Sequence, residues 1–251
     1  MTAGKLGRLK AKADPHPLRA AKYFTAGLLA DPPPRRDWIA PMTDIGMMGN
    51  DVLGDCTCAG AGHMIQAWTA ANGSQVIVPD DEIVRVYSAV SGYVPGDPST
   101  DVGAYALDVL RYWRDVGIGG HKILGWVALN PKNRKQLTIA ANLFGGVYAG
   151  FELPRTAHGQ ELWAVPSYGP VGQGVPGSWG GHMVPLLNYG PVGYVCLSWG
   201  APLTQTEAFV ETYCEEAYAV VAEDWASGDR TAPSGLLLNE LLADLQAVAA
   251  L

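Results

Sequence analysis

Four cysteines in 251 residues are too few and too scattered to staple a small secreted module. The N-terminal stretch "MTAGKLGRLKAKADPHPLRA" also lacks the apolar core of a signal peptide. These two absences lead us to expect reduced thiols and synthesis in a reducing cytoplasm. No uninterrupted apolar run approaches the roughly 18 residues that a membrane helix requires, so no membrane partner is expected. Charged residues make up 16% of the chain against 48% hydrophobic, which is an ordinary globular balance and excludes disorder as the default state. Several catalytic signatures are missing too: Gly-x-Ser-x-Gly, His-Glu-x-x-His and the phosphate-binding Gly-x-x-x-x-Gly-Lys. Cys56 and Cys58 have no second ligand pair nearby and should lie on different helix faces, so a zinc site is not expected. Nothing in the sequence demands a metal or organic cofactor.

What is plentiful is glycine (31) and proline (18), which favours a mixed fold with many turns over a helical bundle. Charge is unevenly spread. Residues 1–36 hold eight Lys/Arg and two Asp, a net of +6, whereas residues 37–251 hold nine Lys/Arg against 22 Asp/Glu, a net of −13. A basic arm on an acidic body should grip acidic groups, either of its own body or of neighbouring subunits in a larger assembly, with Leu6, Leu9, Leu18 and Tyr23 as apolar anchors. Nucleic acid is a weaker candidate because the acidic body would repel it.

The chain divides into the arm (1–36), a helical lobe (37–145), a β-rich lobe (146–232) and a C-terminal amphipathic helix (233–251). Helices are expected from Cys56 to about Ala71, in "DDEIVRVYSAVSGY", in "DVGAYALDVLRYWRDVGIGG" and in "NPKNRKQLTIAANLF". Past Gly145, "GGVYAGFEL", "HMVPLLNYG" and "GYVCLSWG" read as strands. The terminal helix carries Leu237, Leu241, Leu245 and Val248 on one stripe. The class is therefore α+β, with two lobes and a cleft between them.

Cys56 stands where the polar loop "GNDVLGD" turns into a helix. Unsatisfied N–H groups and the helix dipole favour a thiolate there, which makes Cys56 a candidate nucleophile. Its base should be a histidine. His16 lies in the arm, and His121 and His158 sit in loop-like surroundings. His63 is seven residues on, about two turns or roughly 10 Å away. His182 is different, because it opens a strand in the other lobe, directly after a glycine-rich loop, and would meet Cys56 across the cleft.

These residues together resemble the papain-like cysteine peptidases. Asp37-Trp38 matches the family's Asp-Trp near the start of its mature domain. Asn50, twelve residues after Trp38, falls where the family has its oxyanion-hole glutamine, and Cys56, six further on, where it has the nucleophile. Gly54 matches the glycine two before that cysteine. "HMVPLLNYG" matches the family's His-x-Val followed by Tyr-Gly, "SWG" (198–200) the end of its Asn-Ser-Trp-Gly, and "YWRDVGI" a helix that ends in Gly-Ile.

The resemblance implies a papain-like two-lobe fold with an added arm and terminal helix. It also implies a Cys56/His182 dyad acting on polypeptides or a related acyl group, Asn50 as oxyanion donor, and Trp199, Gly54 and Gly181 shaping and shielding the cleft. Four departures are visible. Leu53 replaces a disulfide cysteine, Thr57 an aromatic residue, Asn50 the longer glutamine, and Leu197 the asparagine that orients the histidine. With Leu197 unable to hydrogen-bond an imidazole, Ser198 or a backbone carbonyl would have to substitute. The same departure supports an alternative, a catalytically impaired scaffold in a bacteriophage virion or similar assembly, with residues 1–36 as tether.

Overall fold

The computed structural model describes residues 4–23, 31–222, 241 and 243–244. After a short α1 (Ala20–Tyr23) come α2 (Cys56–Ala71), α3 (Asp80–Ser91) and α4 (Ala106–Asp115). Then β1 (Ile123–Leu129), α5 (Arg134–Phe144), β2 (Val147–Leu153), β3 (Leu162–Trp163), β4 (Gly180–Tyr189), β5 (Gly193–Ser198), β6 (Ala201–Thr206), α6 (Glu207–Tyr213) and β7 (Cys214–Ala222) follow, with short 3₁₀ turns at Pro98–Thr100, Arg155–Ala157 and Gly172–Gly174. The strands form one sheet in the order β1-β7-β2-β4-β5-β6-β3, antiparallel except where β3 meets β6.

Side chains alternate across this sheet and build a core on each face. Tyr148, Tyr218 and Val220 pack with Ile65, Ile83 and Leu110 of α2, α3 and α4. Val147, Ala149, Ala219 and Val221 face the other way, onto Leu137 and Phe144 of α5 and Phe209 of α6. α2 is buried from Cys56 through Ala70, so its small residues serve close packing on all sides rather than one amphipathic face. Gly62 shows the fit: a Cβ there would meet the Met48 sulfur at 2.6 Å.

The α+β class and the four expected helices are present, and the three expected strands correspond to β2, β4 and β5. The 37–145 segment holds α2 to α5 together with β1, which joins the sheet by pairing with β7, and the strand-rich segment after it also holds α6. The expected C-terminal helix at 233–251 lies mostly outside the described residues; Leu241, Ala243 and Asp244 are helical, and Leu241 is buried.

The arm docks on its own body. Lys5 pairs with Asp101 at 2.7 Å, Arg8 with Glu215 and Glu216 at 2.8 Å, Lys12 with Asp108 at 2.6 Å and Lys22 with Asp244 at 2.5 Å. Leu6, Leu18 and Tyr23 pack on the α5/α6-side core. Leu9 contributes its backbone instead, donating to the Ala104 carbonyl at 3.0 Å. Exposed pairs of this kind are worth about 0–1 kcal/mol each. The buried Arg8 cluster and the apolar anchors therefore carry most of the docking.

Candidate active site

Cys56 is the first residue of α2, as the loop-to-helix transition suggests. Opposite it β4, the central strand of the sheet, begins with Gly180, Gly181 and His182, so the helix start and the strand start converge at one end of that strand. Between them runs the arm. Gly7 and Arg8 both donate N–H to the Gly181 carbonyl, at 3.2 and 3.1 Å, and the Ala104 N–H donates to the Gly7 carbonyl at 2.9 Å. The slot holds main chain because side chains are missing from its walls. A Cβ on Gly7 would lie 1.8 Å from the Gly54 carbonyl oxygen, and one on Gly181 would lie 2.0 Å from that of Arg8.

His182 is fully buried. Its Nε2 lies 2.9 Å from Ser198 Oγ, the substitution that the loss of asparagine at Leu197 calls for. Leu197 itself is buried in an apolar cluster with Met42 and Leu187. The Trp199 indole stacks on the imidazole with ring centroids 4.7 Å apart. Trp199 adopts φ 48°, a left-handed conformation that costs a bulky residue about 1–3 kcal/mol and that aims the ring onto His182. His182 Nδ1 is buried without a hydrogen-bond partner.

Asn50 Nδ2 donates to the carbonyls of Lys5, at 3.1 Å, and Leu53, at 3.0 Å; Trp199 Nε1 donates to the same Lys5 oxygen at 3.2 Å. Two donors thus converge on one peptide carbonyl of the arm. Gly54 is fixed through its N–H by Asp101, which also receives Tyr87 Oη at 2.6 Å and Lys5 Nζ at 2.7 Å. Burial raises Asp101, but Lys5, Tyr87 and the Gly54 N–H outweigh it and hold the carboxyl below its usual range.

One expectation needs correction. A helix N-terminus suggests an acidified thiol, yet in this arrangement burial pushes Cys56 up to about 11, only partly offset by the N–H groups of Met183 and Gly7. The reason is that the arm seals the thiol from water. Burial, helped by Arg8, likewise takes His182 down to about 3, so the pair is a neutral thiol and a neutral imidazole. Cys56 and His182 share no hydrogen bond in this arrangement, with Nε2 engaged by Ser198 and Nδ1 bare. The remaining histidines stay apart from this site, and His63 gives its Nε2 to the Gly46 carbonyl at 3.0 Å. All four cysteines are free and buried.

Sequence reasoning missed Asp55, Asp101, Glu215 and Glu216. Asp55 directly precedes Cys56, is wholly buried, and has neither carboxylate oxygen in a hydrogen bond. The Asn50 amide is near enough to lower its pKa somewhat without meeting hydrogen-bond geometry, and burial dominates, raising Asp55 to about 8. Among the described residues no group of three or more His, Cys, Asp or Glu is arranged to hold a metal ion.

No protein-family model matches the chain, and no curated protein matches it by sequence. Solved structures do resemble it. Xylellain, a cysteine protease from Xylella fastidiosa, superposes with a TM-score of 0.68 over 88% of this chain and 97% of its own, at 13% identity. ProCathepsin B S9 from Trypanosoma congolense gives 0.62 over 87% and 86%, at 13% identity. Procathepsin L 3 of Tenebrio molitor larval midgut gives 0.59 over 84% and 76%, at 13% identity. Identity is low while coverage is high, and the likeness is one of architecture: the chain has the papain-like cysteine protease fold.

Proposed function

We propose that the protein is a papain-like cysteine peptidase, or a closely related acyl-transfer hydrolase, in a state where its own arm fills the cleft. One observation carries this reading above the others. The Cys56 thiol lies close enough to be acted on by the Met183 N–H, and the preceding residue, His182, keeps Nε2 on Ser198 and leaves Nδ1 bare. With its proton on Nε2 and donated to Ser198 Oγ, the imidazole presents the Nδ1 lone pair as a base. Once the arm leaves, water and substrate replace it, the desolvation that opposes charge on both groups falls, and proton transfer from thiol to imidazole becomes favourable.

The thiolate then attacks a peptide carbonyl carbon. Asn50 Nδ2, which already donates to the Lys5 carbonyl, supplies a hydrogen bond to the developing oxyanion. His182 returns its proton to the leaving amine, and water hydrolyses the thioester. Trp199 covers the imidazole face. Several of the similar solved structures are described as proenzymes, which fits a chain whose N-terminal segment covers its site.

The test is a full chain carrying a specific protease site within residues 24–30, cut after folding. The cut protein should hydrolyse a fluorogenic peptide that the uncut protein leaves intact. Cys56 should also react with iodoacetamide on the order of 100-fold faster after cutting, whereas Cys58, Cys196 and Cys214 stay protected. Equal labelling before and after would sink the occlusion. A further expectation concerns Ser198→Ala. Losing the orienting hydroxyl should lower kcat of the cut protein by about 10- to 100-fold with KM nearly unchanged. A fall confined to KM would remove Ser198 from its positioning role.

The virion alternative loses its two supports under this reading. The position of Leu197 is compensated by Ser198, and the arm finds its acidic partners on its own body. No observation favours a phage origin.

A further inference from the structure

Arg8 is the one arginine of the arm that disappears into the body, with its side chain 1% exposed. Its Nη1 donates to Glu215 Oε2 and Glu216 Oε1, each at 2.8 Å, and Nη2 to the Phe151 carbonyl at 3.2 Å. The receptacle is built. Glu216 is itself buried and is fixed by Tyr218 Oη at 2.8 Å. Room for the stem comes from Gly150, where a Cβ would stand 2.7 Å from Arg8 Cδ. The backbone of the same residue is clamped in the cleft by Gly181, next to the proposed base. A side chain whose backbone lies in the cleft and whose tip lies in a buried acidic pocket occupies the position of a recognised substrate residue.

We propose that this slot is the specificity pocket of the cleft, and that once the arm has left it selects an arginine side chain of a polypeptide substrate, with Glu216 as the selecting residue. The proposal rests on the peptidase reading above and deepens it. The chemistry is specific. A guanidinium offers several donors in a planar fork, and here two carboxylates and the Phe151 and Leu9 carbonyls accept from its two Nη atoms, while Nε has no partner. A leucine in the slot would leave buried Glu216 with the Tyr218 hydroxyl and no counter-charge, and a carboxylate stripped of its cation in a dry site is strongly disfavoured. Burial already raises the Glu216 pKa, with Arg8 and Tyr218 pulling it back. Selection therefore comes as much from the penalty on wrong residues as from the attraction of the right one.

Two measurements test this separately from catalysis. Full-length Arg8→Ala, whose arm backbone still fills the slot but whose side-chain space is vacated, should be stabilised against heat by millimolar N-ethylguanidinium and not by the neutral N-ethylurea. The wild-type chain, whose pocket is filled, should respond to neither, and Arg8→Ala/Glu216→Gln should lose the response. In parallel, the wild-type chain cut within residues 24–30 is profiled on a peptide library. Arginine is expected to be favoured at least 10-fold over leucine at one position, and Glu216→Gln should reduce that ratio about 10-fold. Cleavage without an arginine preference overturns the pocket and leaves the peptidase reading intact. Guanidinium-selective stabilisation without any cleavage supports the pocket and overturns the peptidase reading. Equal stabilisation by both compounds, or by neither, overturns the pocket; if Arg8→Ala fails to fold, the profile of the cut wild-type chain decides alone.

Discussion

Cys56→Ser, introduced into the chain that is cut within residues 24–30, is expected to lower kcat/KM for a fluorogenic peptide by at least about 10³-fold. Removing one member of a nucleophile–base pair leaves only the rate supplied by binding and the oxyanion donors. Serine keeps the size of the side chain, but its hydroxyl is far less acidic than a thiol. A neutral imidazole that is tuned to take a proton from sulfur cannot activate it equally. His182→Ala should cost a similar factor, and the double variant little more than either single one, because the two act as a unit. The readout is steady-state hydrolysis after cutting, with cutting verified by mass. If cut Cys56→Ser keeps more than a tenth of the wild-type rate, Cys56 is not the nucleophile and the proposed function falls.

How much of this was legible follows from which interactions are local. The start of α2 could be read from a polar loop passing into an alanine-rich run, and His182 from its glycine-rich approach to a strand. Ser198 is legible as a substitute for the missing asparagine because it adjoins Leu197. β1 escaped notice because "ILGWVAL" is largely buried on both faces and shows no alternation to separate it from a buried helix segment. Arg8 and Glu216 are 208 residues apart, so nothing local joins them. A signal did exist in "CEEAYAVVA": with a period of two, one of the adjacent glutamates had to point into the protein, and an inward carboxylate implies a partner. The thiol's acidity was misjudged for a related reason. A helix terminus acts locally, but the burial that overrides it comes from a segment about fifty residues upstream, whose path along the cleft the sequence does not reveal.

Asp55→Asn should stabilise the protein, and by more as the pH rises. The wild-type carboxyl is buried and unpaired, with its pKa raised by burial to about 8, while in the unfolded chain it titrates near 3.9. Between those values the unfolded state releases the proton and the folded state keeps it. The contribution is therefore fully present below about pH 4, declines by about 1.4 kcal/mol per pH unit as the pH rises, and levels off above about pH 8. Asparagine is nearly isosteric with the protonated acid and has no proton to lose. The difference between variant and wild type should thus be small near pH 4 and reach on the order of 2–4 kcal/mol at pH 7, after allowing for an amide that is itself buried without partners. For a chain of this length that corresponds to a rise in Tm of roughly 5–15 °C at neutral pH. Thermal unfolding at pH 4.5 and pH 7.5 reads it directly, and equal shifts at both pH values would show that Asp55 is not held protonated. A consequence for the site follows from the same charge. An ionised Asp55 raises the pKa of the adjacent Cys56, so the wild-type nucleophile depends on Asp55 keeping its proton. In the cut protein, Asp55→Asn should leave Cys56 reactivity near pH 6 almost unchanged. Toward pH 9, where wild-type Asp55 loses its proton, the variant should titrate its thiol at a lower pH than the wild type does.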